Sequence, residues 1–205
     1  MTKFYFSSTT GSLGISPAFQ ATWVVTGGAV RRPMSTAQDG SPIQLKTISE
    51  SSAINNCSVL NCQYISQKQI SGTHVFSGFI RGQVEGQTFF TGSGTVPRLY
   101  VWLANSGGQG RSLIFNYFPE STSNQYQYFY DTNLPTPPQT GTKNVTGFDG
   151  DYIVAEVGFV QYNSTTNPVS GGQYFGATGD SLPIGPLYET SGCPWIEFEQ
   201  NFPFR

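Results

Sequence analysis

The chain has 205 residues, a net charge of −2 and a pI of about 5.3. Only 11% of the residues are charged and 15% are aromatic, which excludes a disordered chain and argues against a protein that follows nucleic-acid phosphates with clustered positive charge. The 24 glycines and 13 prolines exclude a mainly helical fold. A chain of this length can bury a substantial core without help from a metal or a disulfide.

Apolar and polar residues alternate at period two in many short segments, and this pattern predicts β-strands. The predicted strands, in chain order, are Gln20–Val25, Pro42–Ile48, Ser58–Ile65, Gln69–Gly82, Arg98–Ala104, Ser112–Phe118, Tyr126–Tyr130, Tyr152–Tyr162, Gln173–Gly176 and Trp195–Glu199. Breaks rich in Gly, Pro, Ser and Asn separate them. About ten strands without crossover helices predict an all-β fold, an antiparallel two-sheet sandwich that is jelly-roll-like.

The two ends of the chain differ from its middle. Residues 1–20 combine an aromatic cluster with a run rich in Ser, Thr and Gly, which predicts an N-terminal arm on a neighbouring subunit or an edge strand. Residues 21–205 are predicted to form a single β-sandwich domain. Aromatic rings exposed at both ends would be unfavourable, so we expect them to dock on protein. The predicted interface residues are Phe4, Tyr5, Phe6, Phe202 and Phe204.

Residues suited to acid–base or nucleophilic catalysis are few. The single histidine, His74, shares a predicted strand face with Phe76 and Ile80, which favours a core position over the role of a general base. Glu197 and Glu199 share a face of the last predicted strand. A solvated outer face is favoured there over a glycosidase pair. The sequence therefore predicts no catalytic residue and no enzyme.

One glutamate lies on a largely apolar strand face. Glu156 shares that face with Tyr152, Val154 and Val160 in the predicted strand Tyr152–Tyr162. A buried carboxylate needs a partner, and an arginine of a central strand, Arg98 or Arg81, suits that role. The pattern is interpreted as structural.

Metal and cofactor sites are not predicted. The segment Asp149-Gly150-Asp151 offers oxygen ligands for calcium, but an ordinary turn is favoured. A zinc site would need a fourth ligand beside Cys57, Cys62 and Cys193, and His74 is the only histidine. The odd, sparse cysteine count favours buried reduced thiols over a disulfide framework.

A row of tyrosines offers an alternative function. Tyr126, Tyr128 and Tyr130 line one face of a predicted strand, with glutamines on the other. Such a row can stack on sugar rings, and it serves equally well as sheet filler or as interface surface. The three tyrosines are therefore candidate sugar-binding residues, as in a carbohydrate-binding β-sandwich on a receptor-binding fibre.

Five sets of segments follow one another along the chain in a recognisable order. They are Lys3–Phe6 with Ala21–Trp23, Cys62–Ser66 with Gln69–Gly72 and Arg81-Gly82, Leu99–Trp102 with Gly110–Leu113, Gly150–Phe159, and Pro194–Phe198. Together they resemble a family of structural proteins encoded in tailed-phage genomes and prophages. The resemblance implies a jelly-roll-like sandwich and a place in the virion, and it transfers no catalytic residue. The three cysteines and Thr136–Gly147 match the family less well.

The expected role is that of a virion structural protein, either a capsid decoration (cement) protein or a tail or baseplate component. Low charge and aromatic ends suit protein–protein contact, so the expected partners are other virion proteins and further copies of the chain, for example in a trimer. Neither nucleic acid nor a membrane is an expected partner, since no apolar stretch approaches the roughly 20 residues of a transmembrane helix. The first residues lack the apolar run of a signal peptide, which predicts assembly in the host cytoplasm.

Overall fold

A computed structural model describes residues 1–20, 22–25, 29–38, 44–50, 58–83, 86–88, 94–117, 129–134, 145–162, 169–175 and 194–205. The regular elements in these ranges are all strands, which confirms the all-β class. The strands are β1 (Thr2–Phe6), β2 (Val30–Ser35), β3 (Gln44–Glu50), β4 (Ser58–Ser66), β5 (His74–Phe76), β6 (Gly78–Gln83), β7 (Gly86–Thr88), β8 (Gly94–Ala104), β9 (Gly110–Tyr117), β10 (Phe129–Leu134), β11 (Val145–Gly147), β12 (Tyr152–Tyr162), β13 (Val169–Phe175) and β14 (Trp195–Phe198). These residues include no helix with the length and apolar character needed to cross a bilayer.

Most of the described strands belong to one large sheet. Nine strands follow the order β10-β6-β14-β1-β2-β4-β12-β8-β9, and smaller sheets hold β11-β5 and β3-β13-β7. The large sheet is mixed, because β2 and β4 run parallel, which differs from the expected purely antiparallel arrangement. Parallel neighbours need a long connection, and here the chain between β2 and β4 includes β3 of another sheet. The packing of two sheets into a sandwich remains a prediction.

The main core lies against one face of the large sheet, which curls around it. Its members come from strands as distant in the sheet order as β6 and β9. The buried residues of this core are Phe4, Phe6, Met34, Cys62, Tyr64, Ile70, Phe76, Ile80, Leu99, Val101, Leu103, Ile114, Phe115, Ile153, Ala155, Val157, Ile196, Phe198 and Phe202. The β5–β11 sheet covers part of it, since Phe76 of β5 is in this core and a Cβ on Gly147 of β11 would lie 3.3 Å from Ile70 and 3.4 Å from Leu103 of β8.

Strand β1 lies inside the large sheet, between β14 and β2. Phe4 is 2% exposed and Phe6 is 0% exposed, both in the main core, whereas Lys3 and Tyr5 are half-buried on the other face. The first residues are thus an interior strand, which differs from the expected arm or edge strand. The correction has a simple cause: alternation within a short aromatic segment indicates which face is buried, but not how many neighbours the strand has.

The other face of the central strands is covered by the chain between β1 and β2. We call residues 13–20 and 22–25 the strap. Its apolar residues Leu13 and Ile15 pack on Trp102 and Tyr152 in a second cluster. Near its end the strap runs beside β4, where Val24 forms a single parallel bridge with Val59. In its described residues, the predicted strand Gln20–Val25 forms one bridge and no regular strand.

Several predicted strands are confirmed with shifted ends, and one is divided. Gln69–Gly82 becomes β5 and β6, because Gly72 and Gly78 have φ angles of 80° that interrupt an extended chain. Strands β2, β7 and β11 are not among the predicted ones. Tyr126–Tyr130 lies outside the described residues as far as residue 128, and β10 begins at Phe129.

Gly158 allows the strap and β4 to approach β12 closely. A Cβ there would overlap the carbonyl oxygen of Val59 and lie 2.7 Å from the Trp23 ring. We expect Gly158→Ala to lower the free energy of unfolding by about 2 kcal/mol or more, because the backbone of β4 cannot yield as a flexible side chain would. Urea unfolding followed by far-UV circular dichroism measures this. Gly107→Ala is the control: its Cβ would meet nothing nearer than 3.3 Å, so a change within about 0.5 kcal/mol is expected. Equal effects of the two substitutions would contradict the close approach.

Candidate functional site

The most unusual polar group in the described structure is the carboxylate of Glu156. It lies in the middle of β12, directly opposite Gln63 of β4 and Tyr100 of β8. Its side chain is on the sheet face that the strap covers, and it is 0% exposed. A charge at such a position is unfavourable unless its oxygens are well hydrogen bonded.

Three neutral donors satisfy this carboxylate. The indole N–H of Trp23 donates to Oε2 at 2.6 Å, and Nε2 of Gln63 donates to Oε1 at 2.8 Å. The backbone N–H of Gln20 lies 3.2 and 3.3 Å from the two oxygens. The indole N–H of Trp102 lies near the carboxylate and also favours its charged form, although it does not reach hydrogen-bonding geometry. Two of the three donors belong to the strap, so Glu156 fastens the strap to the sheet.

These neutral donors take the place of the expected arginine partner of Glu156. Arginines contact the donors instead of the carboxylate itself. Arg31 donates from Nε to Oε1 of Gln63 at 2.9 Å and from Nη2 to the carbonyl oxygen of Pro17 at 3.0 Å. Because the oxygen of the Gln63 amide is held by Arg31, its NH2 group must face the carboxylate. Arg98 lies over the Trp23 ring, with Cζ 5.3 Å from the ring centroid. We call Glu156, Gln63, Gln20, Trp23 and Arg31 the Glu156 cluster.

Burial raises the pKa of the Glu156 carboxyl above its usual range. The hydrogen bonds from Gln63, Gln20 and Trp23 favour the charged form and oppose that rise. With no exposed surface, the group cannot exchange a proton with a substrate bound at the surface. The role of Glu156 is therefore to hold the strap on the sheet by hydrogen bonds, which supports its structural interpretation.

Glu197 lies on β14 and Glu199 follows directly after that strand, away from β4 and β12, which the strap covers. Glu197 is half-buried, with Lys3 of β1 and Arg81 of β6 directly opposite it on either side. Glu199 is exposed, and both line a shallow groove with Met1 and Arg81. Alternating charges across neighbouring strands are typical of a solvated sheet face, as predicted for these two residues.

His74 is bound to its own loop. Its Nε2 lies 2.8 Å from the carbonyl oxygen of Ser71, which requires the N–H on that nitrogen. Its ring meets Phe202 edge-on at 5.9 Å between centroids, and the residue is half-buried. These contacts place it at the rim of the main core.

The Asp149–Asp151 segment forms a turn held by protein donors. Asp151, 1% exposed at its side chain, accepts from Nε of Arg111 at 2.8 Å and from the backbone N–H of Phe148 at 2.9 Å. Asp149 pairs with Arg205 at 2.8 Å. Gly150 between them has a φ of 86°. These contacts are those of a structural turn, and the described part of the chain has no group of three or more His, Cys, Asp or Glu suited to a metal.

The five predicted interface aromatics take different places. Phe4, Phe6 and Phe202 are buried in the core of their own chain, which corrects their assignment to subunit contacts, because buried rings present no surface to a neighbour. Tyr5 and Phe204 are half-buried. The Phe204 ring packs edge-on against Phe4 at 5.5 Å. The expected docking of the aromatic ends thus occurs within one chain.

The remaining candidates are only partly within the described residues. Tyr126 and Tyr128 lie outside them, and Tyr130 lies in β10, where the backbone alone is described. The sugar-binding alternative therefore stays a prediction. Cys62 is a reduced thiol, 0% exposed in the main core, whereas Cys57 and Cys193 lie outside the described residues.

Sequence reasoning identified Glu156 but not its partners. Gln63 and Trp23 precede it by 93 and 133 positions. One signal was present: Asn61 and Gln63 interrupt the segment Ser58–Ile65 just as Glu156 interrupts its own strand. Polar residues in two buried strands predict a polar contact, but only the register between β4 and β12 shows that Gln63 faces Glu156.

Trp23→Phe tests the indole hydrogen bond. The variant keeps an aromatic ring but removes the donor at 2.6 Å from the carboxylate, so the free energy of unfolding should fall by about 1–3 kcal/mol beyond the cost of the smaller ring. Trp195→Phe is the matched control, since its buried indole N–H makes no hydrogen bond and it lies on β14, away from Glu156. Chemical unfolding of both variants gives the comparison. Equal losses would show that the Trp23 N–H does not fasten the strap.

Asp151→Asn and Asp149→Asn compare a buried with an exposed carboxylate. Asp151 is 1% exposed at its side chain, so losing its charge beside Arg111 should cost about 1–2 kcal/mol of unfolding free energy. Asp149 is 51% exposed and Arg205 is 53% exposed at their side chains, so solvent screening limits that loss to about 0.5 kcal/mol or less. Thermal unfolding of the two variants checks the order, and the reverse order would contradict it.

The segments that carry the family resemblance lie mainly on β1, β4, β8, β12 and β14. Many of their residues are in the main core, so packing of a β-sheet accounts for much of their apolar pattern. Comparison of the chain with protein-family models, with curated proteins and with solved structures found no match.

Proposed function

We propose that the chain is a structural protein of a tailed-phage particle, either a capsid decoration (cement) protein or a component of the tail or baseplate. It acts through protein–protein contacts and not through catalysis, and it binds other virion proteins in symmetric copies such as trimers. In this proposal the fold is a jelly-roll-like sandwich, and the nine-stranded sheet is part of it.

The observation that carries the proposal is an apolar surface on the β5–β11 sheet. Val75 is 43% exposed and Phe148 is 45% exposed. Val75 lies opposite Thr146 on the face of this sheet away from Phe76 and the main core. Phe148 follows directly after β11, and Cζ of Arg111 lies 5.3 Å from its ring centroid. We call Val75, Thr146 and Phe148 the β5–β11 patch. Exposed aliphatic and aromatic side chains at one place support a protein contact surface.

The polar residues give a second line of support. The carboxylates of Glu156 and Asp151 and the ring of His74 are engaged by donors or acceptors of their own chain. These hydrogen bonds stabilise the fold, and they favour a protein that functions by binding other proteins at its surface. The low charged fraction, 11% of residues, agrees with contact surfaces, in which Lys, Glu and Asp are depleted.

Mass spectrometry of purified particles of the encoding phage tests the proposal directly. We expect the protein in the particle at several copies, in proportion to a symmetric site. If it is a cement protein, particles without it should lose their DNA at lower temperature, because binding only the assembled shell stabilises that shell. Absence from purified particles would contradict the proposal, and equal heat resistance would exclude the cement version.

The β5–β11 patch has its own test in particle binding. Phe148→Asp places a charge on the patch and should weaken binding to particles at least about tenfold, which corresponds to about 1.4 kcal/mol. Val25→Asp is the matched control, because Val25 is also 45% exposed but belongs to the strap. Binding of both purified variants to particles lacking the protein is measured by co-sedimentation. Equal binding would exclude the patch as the contact surface.

A further inference from the structure

One buried carboxylate lies between the strap and the sheet beneath it and is hydrogen bonded to both. The side-chain carboxylate of Glu156 receives hydrogen bonds from Trp23 and Gln20 of the strap and from Gln63 of β4. The strap has no regular strand in its described residues. Its other attachments do not titrate near neutral pH: the apolar contacts of Leu13 and Ile15, the hydrogen bonds to the carbonyl oxygens of Pro17 and Ala18, and the bridge of Val24 to β4. The protonation state of one residue thus bears on the attachment of a whole covering segment.

The charges around Glu156 do not neutralise it directly. The ionisable side chains that face this side of the sheet among the described residues are Arg31 of β2, Arg98 and Tyr100 of β8, and Tyr152 of β12. Arg31 reaches the carboxylate only through the Gln63 amide. Arg98 lies over the Trp23 ring and donates to the hydroxyl oxygen of Tyr100 at 3.2 Å. Among the described residues, the hydrogen-bond donors to this carboxylate, which is 0% exposed, are all neutral.

Enclosing a charge without a counter-charge is unfavourable, and neutral hydrogen bonds offset only part of the cost. Lifting the strap would return the carboxylate to water and remove that cost. A protonated carboxyl carries no such cost in the enclosed position. Protonation should therefore favour the closed strap over the open one.

We propose that the strap is a pH-sensitive cover, which Glu156 loosens when its side chain is ionised and tightens when that side chain is protonated. The open form uncovers Trp102 and Tyr152, which are 2% and 9% exposed under the closed strap. This proposal concerns the isolated chain and does not rest on the proposed function.

The sign of the effect agrees with the titration of the group. Burial raises the pKa of Glu156 in the closed form, whereas in the open form the carboxyl regains its ordinary value in water. The closed form is thus favoured most below the ordinary value, and this advantage is lost as the pH rises through the raised value. Between the two values, the opening equilibrium changes by up to about tenfold per pH unit.

Hydrogen exchange of the full-length protein, followed by NMR, tests the proposal. The backbone amide of Gln20 reports on the strap because it donates to Glu156, and the amide of Ala155 in β12 reports on global opening. After correction for intrinsic exchange, protection of the Gln20 amide should rise as the pH is lowered, relative to that of Ala155. Protection that is constant, or that falls on acidification, would overturn the proposal.

Variants assign the effect to one carboxyl. Glu156→Gln should abolish the pH dependence at Gln20, whereas Glu197→Gln, on β14 away from the strap, should leave it unchanged. Trp23→Phe keeps the carboxyl but removes a donor that lowers its pKa, so the midpoint should move to higher pH. This second variant decides the outcome if Glu156→Gln does not fold. A wild-type profile in Glu156→Gln, or an unmoved midpoint in Trp23→Phe, would overturn the proposal.

Discussion

The structure depends on the burial of the central strands on both faces. Every residue of β4 is buried, and so are residues 151–159 in and beside β12. One face packs on the main core and the other lies under the strap. A sheet buried on both sides needs a second covering layer. Here part of that layer is irregular chain, whose backbone polar groups must find partners away from water.

The Glu156 cluster supplies hydrogen-bond partners for backbone groups of the strap. The strap crosses a hydrophobic sheet face, and its backbone groups at Pro17, Ala18 and Gln20 are bound by Arg31, Gln63 and Glu156. A central strand therefore carries a glutamate where an apolar residue would pack more simply. The cost of burying its charge is the physical basis of the proposed pH-sensitive cover, and the same hydrogen bonds fix where the strap lies.

The two ends of the chain are hydrogen bonded to each other beside β1 and β14. The N-terminal ammonium of Met1 donates to Oδ1 of Asn201 at 2.6 Å, and the Phe202 backbone N–H donates to Oγ1 of Thr2 at 2.9 Å. The terminal aromatic rings are thereby part of one core, so they serve the stability of the single chain. Contacts with other proteins, in the proposed virion role, fall instead to exposed groups such as the β5–β11 patch.

Composition and period-two alternation determined the all-β class and most long strands, including β12 with its bounds as predicted, because burial of alternate residues leaves its mark on each strand separately. The same pattern identified Glu156 as a polar group on an apolar strand face. It did not show that β1 is interior, that β2 runs parallel to β4, or that Trp23 and Gln63 meet Glu156. Those facts depend on which strands become neighbours and in what register, and pairing between residues more than ninety positions apart is decided only when the whole chain packs. The prediction of an arginine partner for Glu156 was wrong for the same reason. Local sequence shows that a buried carboxylate needs donors, whereas the tertiary structure decides which donors reach it.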